Sequence, residues 1–131
     1  MNTKKNMNTP TTSFTQLDAW KEGHILVLAI YNIVKTFPRE ELFALTNQMR
    51  RAVISITSNI AEGYSRKSYK EKIQFYYMSL GSLTELQNQL YIAKDICYIS
   101  PDEFVSILNQ TIKVHKIITG LIIASKNRKY S

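Results

Sequence analysis

Cysteine is almost missing from this sequence. Cys97 is the only one in 131 residues, so no disulfide can form within the chain. A reducing compartment is the simpler setting, and a cytoplasmic location is the expectation. No apolar run approaches the ~18 residues needed to cross a bilayer. The longest lie at 25–31 and 117–124, and Thr119 and Gly120 interrupt the second, so no membrane partner is expected. Residues 1–14 are rich in Asn and Thr and lack the apolar core of a signal peptide. Histidine is reduced to His24 and His115, neither in a Glu-x-x-His or His-x-x-x-His pattern. A di-iron bundle needs two such Glu-x-x-His motifs, a zinc site needs a Cys/His cluster, and a phosphate-binding loop needs a glycine-rich run. None is present, so the expectation is no metal, no cofactor, no catalytic residue and no enzyme activity.

Proline and glycine are also scarce, at three and four residues. That leaves four long stretches with helical apolar spacing and neither strand alternation nor an internal repeat. The length suits one domain with a core large enough to need no staple. The first helix is expected over residues 19–36, with Asp18 as its N-cap and Phe37-Pro38 as its stop. The second is expected over 39–62, with Leu42, Leu45, Met49, Ala52/Val53, Ile56 and Ile60 on one stripe and Gly63 ending it. The third runs over 69–97 from a Ser68…Glu71 capping box. Its apolar side carries Ile73, Tyr76/Tyr77, Leu80, Leu83, Leu90, Ala93 and Ile96, and Cys97 reads as core. Gly81 within it costs about 1 kcal/mol relative to alanine, which a close helix–helix approach would explain. The fourth runs over 101–125 from Ser100-Pro101-Asp102-Glu103. It turns Phe104, Ile107/Leu108, Thr111/Ile112, His115, Ile118 and Ile122 inward. Short connections make consecutive helices antiparallel neighbours. The expected fold is an all-α, up-down-up-down four-helix bundle at 16–126. A disordered tail is expected at 1–15 and a basic tail at 127–131.

In that fold the net charge of +7 is polarised. The end formed by the start of helix 1, the helix 2–3 turn and the end of helix 4 collects ten cations against four carboxylates. The opposite end has three cations against five carboxylates. Arg66, Lys67, Lys70, Lys72, Lys126, Arg128 and Lys129 crowd the basic end, and Tyr64 and Tyr69 interleave with them. Cations beside aromatics suit phosphate contacts and base stacking. The same pattern also describes a solvated helix end with a basic tail. Both readings are carried forward.

A second pattern is a polar stripe on helix 2. Gln48, Arg51, Ser55, Asn59 and Glu62 share one helix face, and Ser79, Ser82, Glu85 and Gln89 repeat the spacing on helix 3. A ligand groove is one reading. A polar seam within or between subunits is the preferred one, with Arg51 paired to Glu85 or Glu62, because no activated nucleophile and base accompany the stripe.

These residues resemble one family, the four-helix-bundle proteins named for 23S rRNA intervening sequences. The match opens on Leu17-Asp18-Ala19-Trp20, passes Tyr31 and reaches Phe37-Pro38. It is densest at Leu45-Thr46-Asn47-Gln48-Met49-Arg50-Arg51-Ala52-Val53-Ile54-Ser55-Ile56-Thr57-Ser58-Asn59-Ile60-Ala61-Glu62-Gly63. It resumes at Phe75 and Gly81-Ser82-Leu83-Thr84-Glu85-Leu86, covering about residues 17–100. Gly23 and Val34 depart from the usual alanine and threonine. The resemblance implies a bundle that assembles as a ring-like homopentamer. Some members are encoded inside rRNA genes. A related branch comprises basic, nucleic-acid-binding accessory proteins of diversity-generating retroelements that work with a reverse transcriptase. No catalytic residue carries over, and the signature positions fall on the polar seam. The leading expectation is an oligomeric, non-enzymatic RNA- or DNA-binding accessory protein. The alternative is a protein–protein interaction scaffold with only nonspecific nucleic-acid affinity.

Overall fold

The computed structural model describes residues 13–129. Among them are four α-helices and no strand: α1 (Asp18–Ile33), α2 (Leu45–Ser65), α3 (Tyr69–Asp95) and α4 (Pro101–Lys129). Short 3-10 turns occupy Phe14–Gln16, Val34–Thr36 and Arg39–Glu41. Each helix packs on its neighbours in sequence, and α1 closes the ring against α4.

Contacts between neighbouring helices run in opposite senses. From α1 to α2, Gly23 lies against Thr57 and Tyr31 under Arg50. From α2 to α3, Ser55 bonds Ser82 and Gly63 meets Tyr76. From α3 to α4, Tyr69 meets Arg128, Gln87 meets Thr111 and Tyr91 meets Phe104. The architecture is the expected all-α four-helix bundle, and its neighbours alternate in direction. Leu26, Ile30, Met49, Ile56, Ile60, Leu83, Leu86, Leu90 and Ile118 are fully buried along its axis. Each such side chain contributes about 1.5–3 kcal/mol by leaving water.

Several boundaries differ from the sequence expectation for local reasons. Asp18 is the first residue of α1 rather than its cap. Leu17 occupies the cap position in an extended conformation. Just upstream, Ser13 and Gln16 form their own capping box around the Phe14–Gln16 turn. Phe14 packs edge-on against Trp20, with ring centroids 5.6 Å apart. The fold therefore includes residues 13–15, which the expected tail had claimed, and the rest of that tail, residues 1–12, lies outside the described residues. The end of the bundle moves too, because α4 continues helically through Lys129 rather than stopping at 126.

α2 starts at Leu45, not at 39, because Ala44 adopts a non-helical conformation. The Glu41 carboxylate then accepts the Leu45 amide at 3.3 Å and the Tyr98 hydroxyl at 2.8 Å, tying this connection to the α3–α4 turn. Leu42 consequently leaves the apolar stripe and is exposed. Cys97 is exposed rather than core. With φ at 65° it takes the left-handed conformation that ends α3, a role usually given to glycine. Tyr77, Ile96, Ile112 and His115 also face out, while Thr111 and Val114 fill the α4 core.

The glycines exchange their expected roles. Among the described residues, a Cβ at Gly81 would meet no atom of another helix within 4 Å, so no close approach explains it. Gly63 does not end α2, which continues to Ser65. It is buried where a Cβ would fall 2.7 Å from Tyr76 Cε1 and 3.0 Å from Phe75 Cβ. Gly63→Ala is therefore expected to destabilise the fold by about 1–3 kcal/mol through overpacking. Gly81→Ala should stabilise it by about 0.5–1 kcal/mol through backbone entropy. Urea unfolding of the two variants, followed by far-UV circular dichroism, checks both signs.

Candidate nucleic-acid interface and the polar seam

The α2–α3 turn and the end of α4 meet at the basic end, where the cations divide by what they already hold. The Lys72 ammonium donates to the Tyr64 carbonyl at 2.6 Å and the Gly63 carbonyl at 3.4 Å. It thus satisfies carbonyls left open at the C-terminal end of α2, where a positive charge also suits the helix dipole. Arg66 pairs with Glu62 at 2.9 Å and more loosely with Glu71 at 3.9 Å, and lies over the Phe75 ring. In the last turns of α4, Lys126 donates to the Tyr77 hydroxyl at 2.7 Å and Arg128 to the Tyr69 hydroxyl at 3.2 Å. Lys67 and Lys70 are different. Both are exposed, and among the described residues neither has an ion pair or hydrogen bond. They sit at the N-terminal end of α3, whose Ser68 cap accepts the Glu71 amide. The dipole of α3 disfavours positive charge at Lys70, in its first turn, whereas Lys67 lies between the Arg66 C-cap of α2 and the Ser68 N-cap of α3, where the two dipoles oppose.

Behind these cations lies an open cavity of about 600 Å³, lined by Leu17, Tyr64, Tyr69, Lys72, Tyr76, Leu121, Ala124, Ser125 and Arg128. Lys72 stands 5.4 Å from the Tyr64 ring centre and 5.8 Å from that of Tyr69, and Arg128 stands 5.9 Å from the latter. These distances are those of cation–π contacts. Tyr76 forms the floor and is only 2% exposed. Burial, and then the neighbouring Tyr69 and Tyr64, push its phenol up to about 12. It is a neutral hydroxyl at any ordinary working pH.

The polar seam resolves into two parts. Inside it, the Ser55 and Ser82 hydroxyls meet at 2.8 Å, and the Asn59 amide donates to the Ser55 carbonyl at 2.8 Å and its hydroxyl at 3.1 Å. Deeper, the Ser79 hydroxyl donates to the Ile56 carbonyl at 2.8 Å. Small side chains and satisfied hydroxyls thus let α2 and α3 approach closely. The outer part is an open cleft of about 310 Å³ lined by Gln48, Arg51, Ala52, Ser55 and Glu85. The expected pairing of Arg51 is not made. Glu62 is taken by Arg66, and among the described residues neither Arg51 nor Glu85 has an ion-pair partner. Both are exposed side chains that reach solvent before they reach each other. One turn beyond Glu85, the Gln89 side-chain oxygen is buried with no hydrogen-bond partner.

The profile of the 23S rRNA-intervening sequence proteins matches residues 15–120, nearly the whole bundle. The chain belongs to that family. Its fold is also that of a crystallised protein of unknown function from the S23 ribosomal protein family of Bacteroides thetaiotaomicron, at TM-score 0.74 and 23% identity. The similarity covers 79% of this chain and 94% of that one. No curated protein matches it.

In this intervening-sequence protein, Arg66, Lys67, Tyr69, Lys70, Lys72, Lys126 and Arg128 do gather at one end, and α4 carries the backbone of Lys129 there too. Lys4 and Lys5, counted toward that end from the sequence, lie outside the described residues. Tyr76 was read as core alone. Its signal was legible, because Tyr69, Lys72 and Tyr76 are spaced three and four apart and so share one helix face. The histidines stay apart: His24 stacks on Trp20 at 4.6 Å, while exposed His115 lies 3.5 Å from the Thr119 hydroxyl. Among the described residues no cluster of His, Cys, Asp and Glu could hold a metal, and no helix is long and apolar enough to cross a membrane.

The division of labour among the cations has a measurable consequence. Lys72→Ala should cost about 1 kcal/mol of stability by uncapping α2. Lys67→Ala and Lys70→Ala should stay within about 0.5 kcal/mol of wild type. Thermal melts of the three variants check this. Tyr76 also sets an alkaline limit. Its pKa is raised on folding, so its contribution is fully present below pH 10 and is lost as pH rises toward 12. Subtracting the ultraviolet pH titration of Tyr76→Phe from that of wild type should leave one phenol ionising near 12.

Proposed function

We propose that this chain is a non-enzymatic, self-assembling nucleic-acid-binding protein whose basic end contacts RNA or DNA. The observation that carries the reading is the placement of Lys67 and Lys70. They are exposed and unpaired among the described residues, and Lys70 stands in the first turn of α3, where the helix dipole disfavours it. Charges that satisfy nothing within the fold fit an anionic partner. Tyr69 and the cations around it add the stacking and phosphate-contact chemistry that such a partner uses.

Self-assembly belongs to the same proposal. Arg51 and Glu85 carry opposite charges around one cleft, and exposed Ile54, Met78 and Ile92 lie on the same stretch of α2 and α3. On the opposite side of the bundle, α1 and α4 expose Ile25, Leu28, Val105 and Ile112. Two unlike apolar faces support heterologous contacts, the kind that close into rings. A ring would repeat the basic end around its axis, and multivalency would raise a weak phosphate affinity. A second reading, a protein-binding scaffold, draws on Phe43, which is 90% exposed beside exposed Leu42 at the acidic end.

The test is binding of nuclease-treated protein to labelled structured RNA and duplex DNA, titrated across salt. Affinity should fall steeply with salt, and Lys67→Glu/Lys70→Glu should weaken it at least tenfold with unchanged helicity. Little binding at low salt would move the search to the scaffold reading. Separately, Arg51→Ala should lower the mass seen by light scattering while leaving the helical signal intact, because Arg51 has no ion pair among the described residues to lose.

A further inference from the structure

The cavity at the basic end has a composition that a plain phosphate track does not need. A track requires only cations spaced along a surface. Here the tyrosines Tyr64, Tyr69 and Tyr76 surround a space of about 600 Å³, with Lys72 and Arg128 among them. That volume lies within the range of small-ligand pockets. The floor carries the second clue. Tyr76 is 2% exposed and lines the cavity, yet among the described residues its hydroxyl makes no hydrogen bond. The hydroxyl oxygen is not sealed in the core but opens onto the cavity, where a ligand's polar atom can reach it. A neutral tyrosine can donate or accept there.

We infer that this cavity receives a single unstacked nucleotide of a bound strand, its base among the tyrosines over the Tyr76 hydroxyl and its phosphate near Lys72 and Arg128. The inference rests on the nucleic-acid reading proposed above and narrows it from phosphate contact to recognition of an unpaired nucleotide. An aromatic pocket holds a base through its π face, and the Tyr76 hydroxyl supplies one contact to a base edge. A base-paired nucleotide cannot enter, because its edge is already occupied and its faces are stacked. Lys72 is well suited to the rim: two of its three donors are spent on the α2 carbonyls, which fix the ammonium in place, and one remains. Lys67 and Lys70, on the adjoining turn, would meet the neighbouring phosphates without discriminating between paired and unpaired strands.

The experiment uses the full chain and three labelled RNA hairpins: one blunt, one with a short single-stranded 3′ overhang, and one whose overhang keeps sugar and phosphate but lacks bases. Fluorescence anisotropy at one fixed salt concentration reads the three affinities. The base-bearing overhang should bind about tenfold more tightly than the abasic one, the size of one base–aromatic stack. Tyr76→Phe keeps the ring that packs against Gly63 and removes only the hydroxyl. It should erode that advantage severalfold while leaving blunt-hairpin binding unchanged, and Lys67→Glu/Lys70→Glu should weaken all three probes alike. Equal, salt-sensitive binding of abasic and base-bearing overhangs would overturn the pocket and leave the nucleic-acid reading standing. The pocket also falls if Tyr76→Phe keeps the full tenfold preference, or if adenosine monophosphate alone binds more tightly than the overhang. Absence of binding to every probe at low salt would overturn both readings together.

Discussion

The close approach of α2 and α3 is the constraint on which the rest of the molecule depends. It is set by the absence of a side chain at Gly63, which admits the Tyr76 ring, and by the small hydroxyls of Ser79, Ser55 and Ser82 between the helices. Larger residues at these positions would push the helices apart, because a close-packed interior has no room to absorb them. With the helices held this near, Lys72 reaches back to the carbonyls that end α2. Tyr64, Tyr69 and Tyr76 are brought from separate turns into one cavity, and the outer polar residues are left as an open cleft rather than a closed network. Both candidate sites are consequences of one packing decision.

Charge in this bundle follows helix direction more closely than composition alone would imply. At the acidic end, Glu41 accepts the first amide of α2, while Glu103 accepts the Ser100 amide at 2.8 Å in the capping box of α4. At the basic end, Lys72, Lys126 and Arg128 stand where α2 and α4 finish, and positive charge there suits the dipoles. Much of the polarity therefore serves the fold. Lys67 and Lys70 hold nothing within the fold, and Lys70 stands in the first turn of α3. Charge that the fold leaves unspent points to a partner more strongly than the total of +7 does.

The sequence misled where two candidates stood at neighbouring positions on a helix. Tyr76 and Tyr77 have similar periodicity, yet one is buried and the other exposed to hold Lys126. Thr111 and Ile112 divide in the same way. A helical stripe fixes a face only to within about one residue, because 3.6 residues per turn leaves adjacent positions on either side of its edge. Cys97 was misread for a different reason. Small, apolar-like cysteine is usually buried, and nothing local announces that this one adopts φ of 65° to end a helix. Ion pairing was least legible of all: Glu62 shares the helix face of Arg51 but stands about 16 Å further along α2 and pairs with Arg66, while Glu85 on α3 stays in solvent.

By itself the sequence determined the helical class, the number of helices, the order of the chain around the bundle and the end at which cations collect. Each of these follows from local properties: apolar spacing, capping residues, the position of Pro38 and Pro101, and connections too short to allow anything but a reversal. Tertiary structure alone decided which glycine permits a close approach, which cations are already spent on carbonyls and hydroxyls, and that an unpartnered tyrosine hydroxyl lies at the bottom of a pocket. Those are distances between residues remote in the chain, set by how four helices share one core, and no local pattern encodes them.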